Sequence, residues 1–367
     1  TCPIANEALQ NAVFFRLGLG DLDRATADAT LFSRSYKRSM PRETSQVVFS
    51  LGTYYEREEQ WTNVLRHYRS CLRDYRRTAL PNQIIRANVM MGRAWWAGEE
   101  RDTAKSFFNT ASRAWERAPQ AIADMDDVED AQKILWLKEA LDATAEAYFY
   151  LAEFAYREFR FVRFPAYRGG RSLERIQRWS EREFKTWVEE KMAALQKAET
   201  EYNKIAALQV VVREGLPPLT SPPWQIAAAS RIGQMYRSFV DDFRDAPIPE
   251  EIESDPELFD IYVGALDEQS EPLVRQAKSK FEFCLQTATN VRWFNEYSRT
   301  CERELNQLDP RQYPLADELR GEARYARGDV ARPGPVELAA DEEESDELTG
   351  TAAASESTPA EGEGEGE

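Results

Sequence analysis

The hydrophobic positions of this chain fall three and four residues apart. Between Gln46 and Tyr55 the apolar residues are Val47, Val48, Phe49, Leu51, Tyr54 and Tyr55. That spacing puts one apolar stripe along a helix. Trp187, Met192, Leu195, Tyr202 and Ile205 carry the same rhythm through a later stretch. Period-two alternation is almost absent, and glycine and proline are sparse through the first 330 residues. The pattern predicts an all-α chain to about Arg327. The segment 331–367 is different. It holds one Arg (Arg332) against twelve acids, contains no aromatic residue and ends in Gly-Glu alternation. Such a segment has too little apolar surface to offset its ordering entropy, and it is expected to be disordered.

Small and large residues also recur in register. Leu51-Gly52 is followed by Tyr55, then by Val64, Tyr68 and Cys71. Met91-Gly92 stands 40 residues further on and is followed by Trp95, then by Ala104, Phe108 and Ala111. Gly20 and Ala25 fit the turn and second helix of a weaker unit. Leu151-Ala152 and Ala155 open another, completed late by Ala198, Tyr202 and Ile205. Ile232-Gly233 and Tyr236 open a last one, completed by Ala277, Phe281 and Cys284. Small residues let two helices approach, and large ones fill the gap between them. The alternative is an unrelated helical bundle in which the small residues are fortuitous.

Across roughly Ala5 to Asp309 the spacing resembles the tetratricopeptide repeat, whose period is about 34 residues. The resemblance implies an α-solenoid of about five divergent helical hairpins within 1–330, with a concave face. Three segments interrupt it: 157–182, 215–224 and 245–256. The first is basic and aromatic. The second holds four prolines and reads as a stiff linker before a helix at Gln225. The third is acidic.

Composition refines this picture. The chain has 367 residues and a net charge of −17, of which the 331–367 tail accounts for −11 and leaves −6 for the rest. The acidity argues against a global nucleic-acid binder. No run reaches the ~18 apolar residues of a membrane helix. There is one histidine, His67, so a His-rich metal site is excluded. No Gly-rich phosphate loop, Cys-x-x-Cys or Gly-x-Ser-x-Gly elbow occurs. Acid pairs such as Asp241-Asp242 and Glu250-Glu251 read as solvated surface, and Asp126 to Asp130 as an acidic interhelix loop. The chain is therefore read as non-enzymatic, with no cofactor, metal or small-molecule substrate.

A narrower resemblance lies near the end of the repeats. The run Phe281-Glu-Phe-Cys284, Trp293-Phe-Asn-Glu-Tyr297, Cys301-Glu302, Leu308-Asp-Pro310 and Tyr313-Pro314 is similar to a block in the tetratricopeptide lipoproteins of myxobacterial gliding-motility machinery. That implies an outer-membrane lipoprotein facing the periplasm, which binds the proteins of an envelope complex. The alternatives are an outer-membrane assembly lipoprotein of similar build and a cytosolic adaptor.

Each of the four cysteines has its own reading. Cys2 is a candidate lipidation site. Cys284 and Cys301 are 17 positions apart across an expected turn near Asn290. In an antiparallel hairpin they would face each other, within the ~4.4–6.8 Å between Cα atoms that a disulfide needs. Two buried thiols are the alternative, favoured in a reducing compartment. Cys71 reads as core, and His67 with Cys71 lacks the further ligands of a zinc site.

Two surfaces could bind a partner. The resemblance implies that the first helix of each unit lines a concave groove. The candidate residues are Gln46, Phe49, Thr53 and Arg57, then Arg86, Arg93 and Trp96, then Glu153, Tyr156 and Arg157, then Gln234 and Arg237. The second surface is the 157–182 insertion, with eight arginines against three acids. Arg160, Arg163, Arg168, Arg171, Arg175 and Arg178 could dock an acidic protein or anionic surface, with single-stranded nucleic acid the lesser alternative, or the insertion could pack on its own repeat.

Overall fold

The computed structural model describes residues 4–165, 167, 173–213, 215, 217–245, 248 and 250–315. The described residues lie within one compact unit, Thr1–Glu322. Cys2, Arg168, Arg171 and the 331–367 tail lie outside the described residues. Among the described residues the fold is all-α, and β pairing is limited to one isolated bridge between Val210 and Leu219.

Helices α1 (Ala5–Leu19) and α2 (Leu22–Tyr36) form the first hairpin. Gly20 closes it in the left-handed region, at φ 79°, and its N–H bonds the Leu17 carbonyl at 3.1 Å. Glycine adopts that conformation without the strain a Cβ brings. Val13 and Leu17 pack against Ala25, Ala29 and Phe32 in a small core shared with Val47 and Leu51.

The second hairpin pairs α3 (Pro41–Ser50) and α4 (Gly52–Arg57) with α5 (Trp61–Asp74). The third pairs α6 (Pro81–Ala97) with α7 (Arg101–Trp115). Their turns match residue for residue. Glu59 and Glu99 both take positive φ, 52° and 62°. The following N–H, of Gln60 or Glu100, returns to Tyr55 or Trp95 at 2.9 and 3.0 Å. A Cβ at Gly52 would collide with the Tyr68 ring, and one at Gly92 would come within 2.5 Å of Phe108. Both aromatic rings are buried. The 40-residue step in the sequence is thus a structural step as well.

After α8 (Ala118–Ala123), α9 runs for 32 residues, Asp130–Phe161. It pairs with α11 (Lys185–Ala207), which is entered through α10 (Leu173–Trp179) and a π turn at Ser180–Phe184. Next come α12 (Pro222–Arg244), α13 (Glu250–Glu253), α14 (Pro256–Val291) and α15 (Glu296–Leu308). A Cβ at Gly233 of α12 would come within 2.5 Å of Phe281 of α14. α12 begins at Pro222, three residues before the expected start at Gln225. Pro222 and Pro223 occupy its first positions, where a missing N–H costs nothing and the fixed φ suits a helix. Pro272 sits inside α14, and the buried residues of that helix begin at Ser270. One core then runs from Phe49 to Leu305. No helix among the described residues is long and apolar enough to cross a membrane.

Candidate functional site

A cleft of about 620 Å³ opens between α1, α3, α6 and the first half of α9. Phe14, Phe49 and Trp136 give it apolar wall, and Gln46, Thr53, Asn82, Arg86 and Glu139 give it polar wall. Pro41 and Pro81 open α3 and α6, and residues of both first turns, Arg42 and Glu43 with Asn82 and Gln83, line the cleft.

The cations of the cleft are already partnered. Arg86 bonds Glu56 at 2.5 Å, and the Tyr68 hydroxyl donates to the same carboxylate. Burial opposes the Arg86 charge, but the Glu56 carboxylate more than restores it, so the guanidinium is held firmly protonated. Burial, reinforced by Glu56, pushes the Tyr68 hydroxyl well above its usual value, so it remains a donor at neutral pH. Arg42 pairs with Asp127 at 2.9 Å. Gln83 is occupied structurally, accepting from the Leu80 N–H at 2.8 Å and from the Ser45 hydroxyl at 3.2 Å. Asn82 donates to Glu139 at 2.6 Å, and its own amide oxygen is buried without a partner.

Four of the groove candidates, Gln46, Phe49, Thr53 and Arg86, line this cleft. The structure finds other work for most of the rest. Arg57 donates to the Leu17 carbonyl at 3.3 Å. Arg93 faces Glu146 at 3.4 Å, and burial raises the Glu146 carboxyl above its usual range. Trp96 packs edge-on against Tyr150 and Phe154, with the Arg101 guanidinium 3.9 Å from its ring centre. Glu153 accepts from the Tyr202 hydroxyl at 2.6 Å and from Arg231 at 2.8 Å. This repeats the Tyr-Glu-Arg arrangement of Tyr68, Glu56 and Arg86. Tyr156 lies under Arg231, Gln234 accepts from Arg231, and Arg237 reaches Asp241 and Glu304. Arg157 is exposed.

Most of the described aromatic residues of the 157–182 insertion turn inward, while Phe161 is exposed. Phe164 and Trp179 pack at tilted angles against Phe184, Phe184 does the same against Trp187, and Phe164 meets Trp187 edge-on. Arg178 pairs with Glu174 at 2.8 Å, Arg160 lies over Tyr156, and Arg163 and Arg175 are exposed.

Sequence reasoning missed Asn82, Trp136 and Glu139. The last two belong to the first half of α9, ahead of the Leu151-Ala152 signal from which that unit was read. The available sign was the apolar spacing of Ile134 to Leu137 with Ala140 and Leu141, which continues the helix backwards.

Cys284 and Cys301 are bonded, with 6.4 Å between their Cα atoms, and the bond ties α15 to α14. Cys71 is buried, and burial pushes its thiol up to about 12, so it is not a nucleophile at neutral pH. His67 lies 3.4 Å from it, and no group of three or more His, Cys, Asp or Glu among the described residues could hold a metal. Burial lowers the His67 pKa below its usual 6.5. The unfolded chain therefore binds a proton that the fold resists, and stability is lost as pH falls below 6.5. The urea midpoint of the parent chain should drop through that window relative to His67→Gln, and equal curves for the two proteins would refute the assignment.

No protein-family model matches this chain, and no curated protein is found to be similar to it.

Proposed function

We propose that this chain is a non-catalytic scaffold of tetratricopeptide-like hairpins that binds a segment of a partner protein in its cleft. The observation that carries the reading is the recurring close approach of glycine to a buried aromatic ring. Gly52 meets Tyr68, Gly92 meets Phe108 and Gly233 meets Phe281. Each pair joins the first helix of a hairpin to the second, as the tetratricopeptide pattern requires. Stacked units of this kind bury a shared core and leave one extended face for a partner. The cleft offers space that the protein's own side chains leave unfilled.

The Cys284–Cys301 bond supports an exported form of this reading, because disulfides persist in oxidising compartments. A periplasmic envelope-complex protein fits that form. The narrower gliding-motility reading rests on the resemblance over 281–314.

A photo-crosslinking amino acid at Thr53 or Gln46 tests the cleft directly in host extract. The expected result is a crosslinked polypeptide that excess unlabelled protein competes away, with none from Thr110 on the exposed side of α7. Equal labelling from Thr110 would sink the cleft as the binding face.

A further inference from the structure

We infer that the cleft selects a cationic segment, one that brings Lys or Arg side chains to Asn82, Glu129 and Glu139. This rests on the scaffold reading above and names the chemistry of the segment bound.

Three observations lead there. The two arginines of the cleft are spent, Arg86 on Glu56 and Arg42 on Asp127. Neither is left as the main attraction for an anion. The remaining charged groups are all acceptors. Glu43 and Glu129 line the cleft, and among the described residues neither has a side-chain hydrogen bond or ion pair. Glu139 is exposed and is held only by the Asn82 amide.

The third observation is Asn82 itself. It is 5% exposed and lines the cleft, and its amide oxygen has no hydrogen-bond partner. Its NH₂ donates to Glu139, which fixes the amide orientation and turns the oxygen the other way. A buried acceptor left unmade is costly, and native structures rarely keep one without a use. The oxygen is closed off from solvent, so a small shift of the cleft wall must uncover it before an incoming N–H donor satisfies it. A cationic side chain supplies several such donors and neutralises the neighbouring carboxylates at the same time. Phe14 and Trp136 offer apolar surface for the aliphatic stem of such a side chain. An acidic segment would instead meet unpaired carboxylates, which raises the cost of docking it.

Fluorescence anisotropy on the full chain tests this. The probes are two labelled dodecapeptides, four repeats of Leu-Arg-Ser and four of Leu-Glu-Ser. The arginine peptide is expected to bind at least about tenfold more tightly. Glu129→Gln combined with Glu139→Gln should weaken it about fivefold, the scale of partly exposed ion pairs. Glu257→Gln combined with Glu268→Gln removes the same charge from the exposed face of α14 and should change nothing. That control separates loss of the cleft carboxylates from loss of two negative charges elsewhere on the chain. If the glutamate peptide binds as tightly, or the control pair weakens binding as much as the cleft pair, the cationic preference is wrong while the cleft reading stands. If neither peptide binds, and the Thr53 crosslink is also absent, both fail.

Discussion

Gly92→Ala should lower the unfolding free energy of this protein by about 1–3 kcal/mol, the usual range for overpacking a close contact. The sign is informative. In a helix interior alanine is intrinsically better than glycine by about 1 kcal/mol, so without the ring the substitution would stabilise. A Cβ at this position would come within 2.5 Å of the Phe108 ring, which is fully buried in the main core and stacks on Tyr150 at 4.9 Å between centroids. The ring cannot retreat without displacing its neighbour. Phe108→Leu alone should also destabilise, because it leaves a gap. Combined with Gly92→Ala it should cost less than the two single changes added together, since the methyl then fills that gap. Urea titrations of the four proteins check this, and strict additivity would show that the glycine is not there to admit the ring.

Breaking the Cys284–Cys301 bond should cost roughly 3 kcal/mol, as loop-closure entropy for a 17-residue separation indicates. The Cα atoms already stand 6.4 Å apart at the crossing of α14 and α15, and both cysteines are fully buried. Cys284→Ala with Cys301→Ala should therefore lower the urea midpoint and leave the helix content nearly unchanged. The loss should concentrate in α15, whose buried anchors are Ser298, Cys301 and Leu305. Thiol titration of the unfolded chain gives an independent reading. Two of the four cysteines should react without reductant and all four with it. Four reactive thiols in both would mean the bond is absent in the isolated protein.

The helical hairpins were legible because their signal is local and steric. A glycine one helix away from an aromatic ring leaves the same mark at Gly52, Gly92 and Gly233, and apolar spacing locates the helices between them. The turn residues Glu59 and Glu99 were not legible, since nothing in a glutamate announces positive φ. The cleft was half legible. Gln46, Phe49, Thr53 and Arg86 follow from counting along units of equal length. Trp136 and Glu139 do not, because α9 is 32 residues long and crosses from one apolar cluster to another. The fate of the groove residues was out of reach for a different reason. Arg231 answers Glu153 from 78 positions away, and such pairings are decided by packing after the helices have formed. Arg93 and Trp96 therefore counted as groove residues, where the fold uses both to join α6 to α9.

Pro272 has a further consequence. It donates no N–H, so the hydrogen-bond ladder of α14 is interrupted close to Ser270, where burial begins. The outer stretch of that helix is mostly solvated, and the inner stretch carries Phe281 and the cross-linked Cys284. A helix unbroken across both would have to fray or hold as one body. With the ladder cut at this place, the outer turns are expected to open without carrying the covalent clamp along, and amide exchange that is fast before Pro272 and slow after it would show this. α14 would then join a compliant arm to a fixed strut.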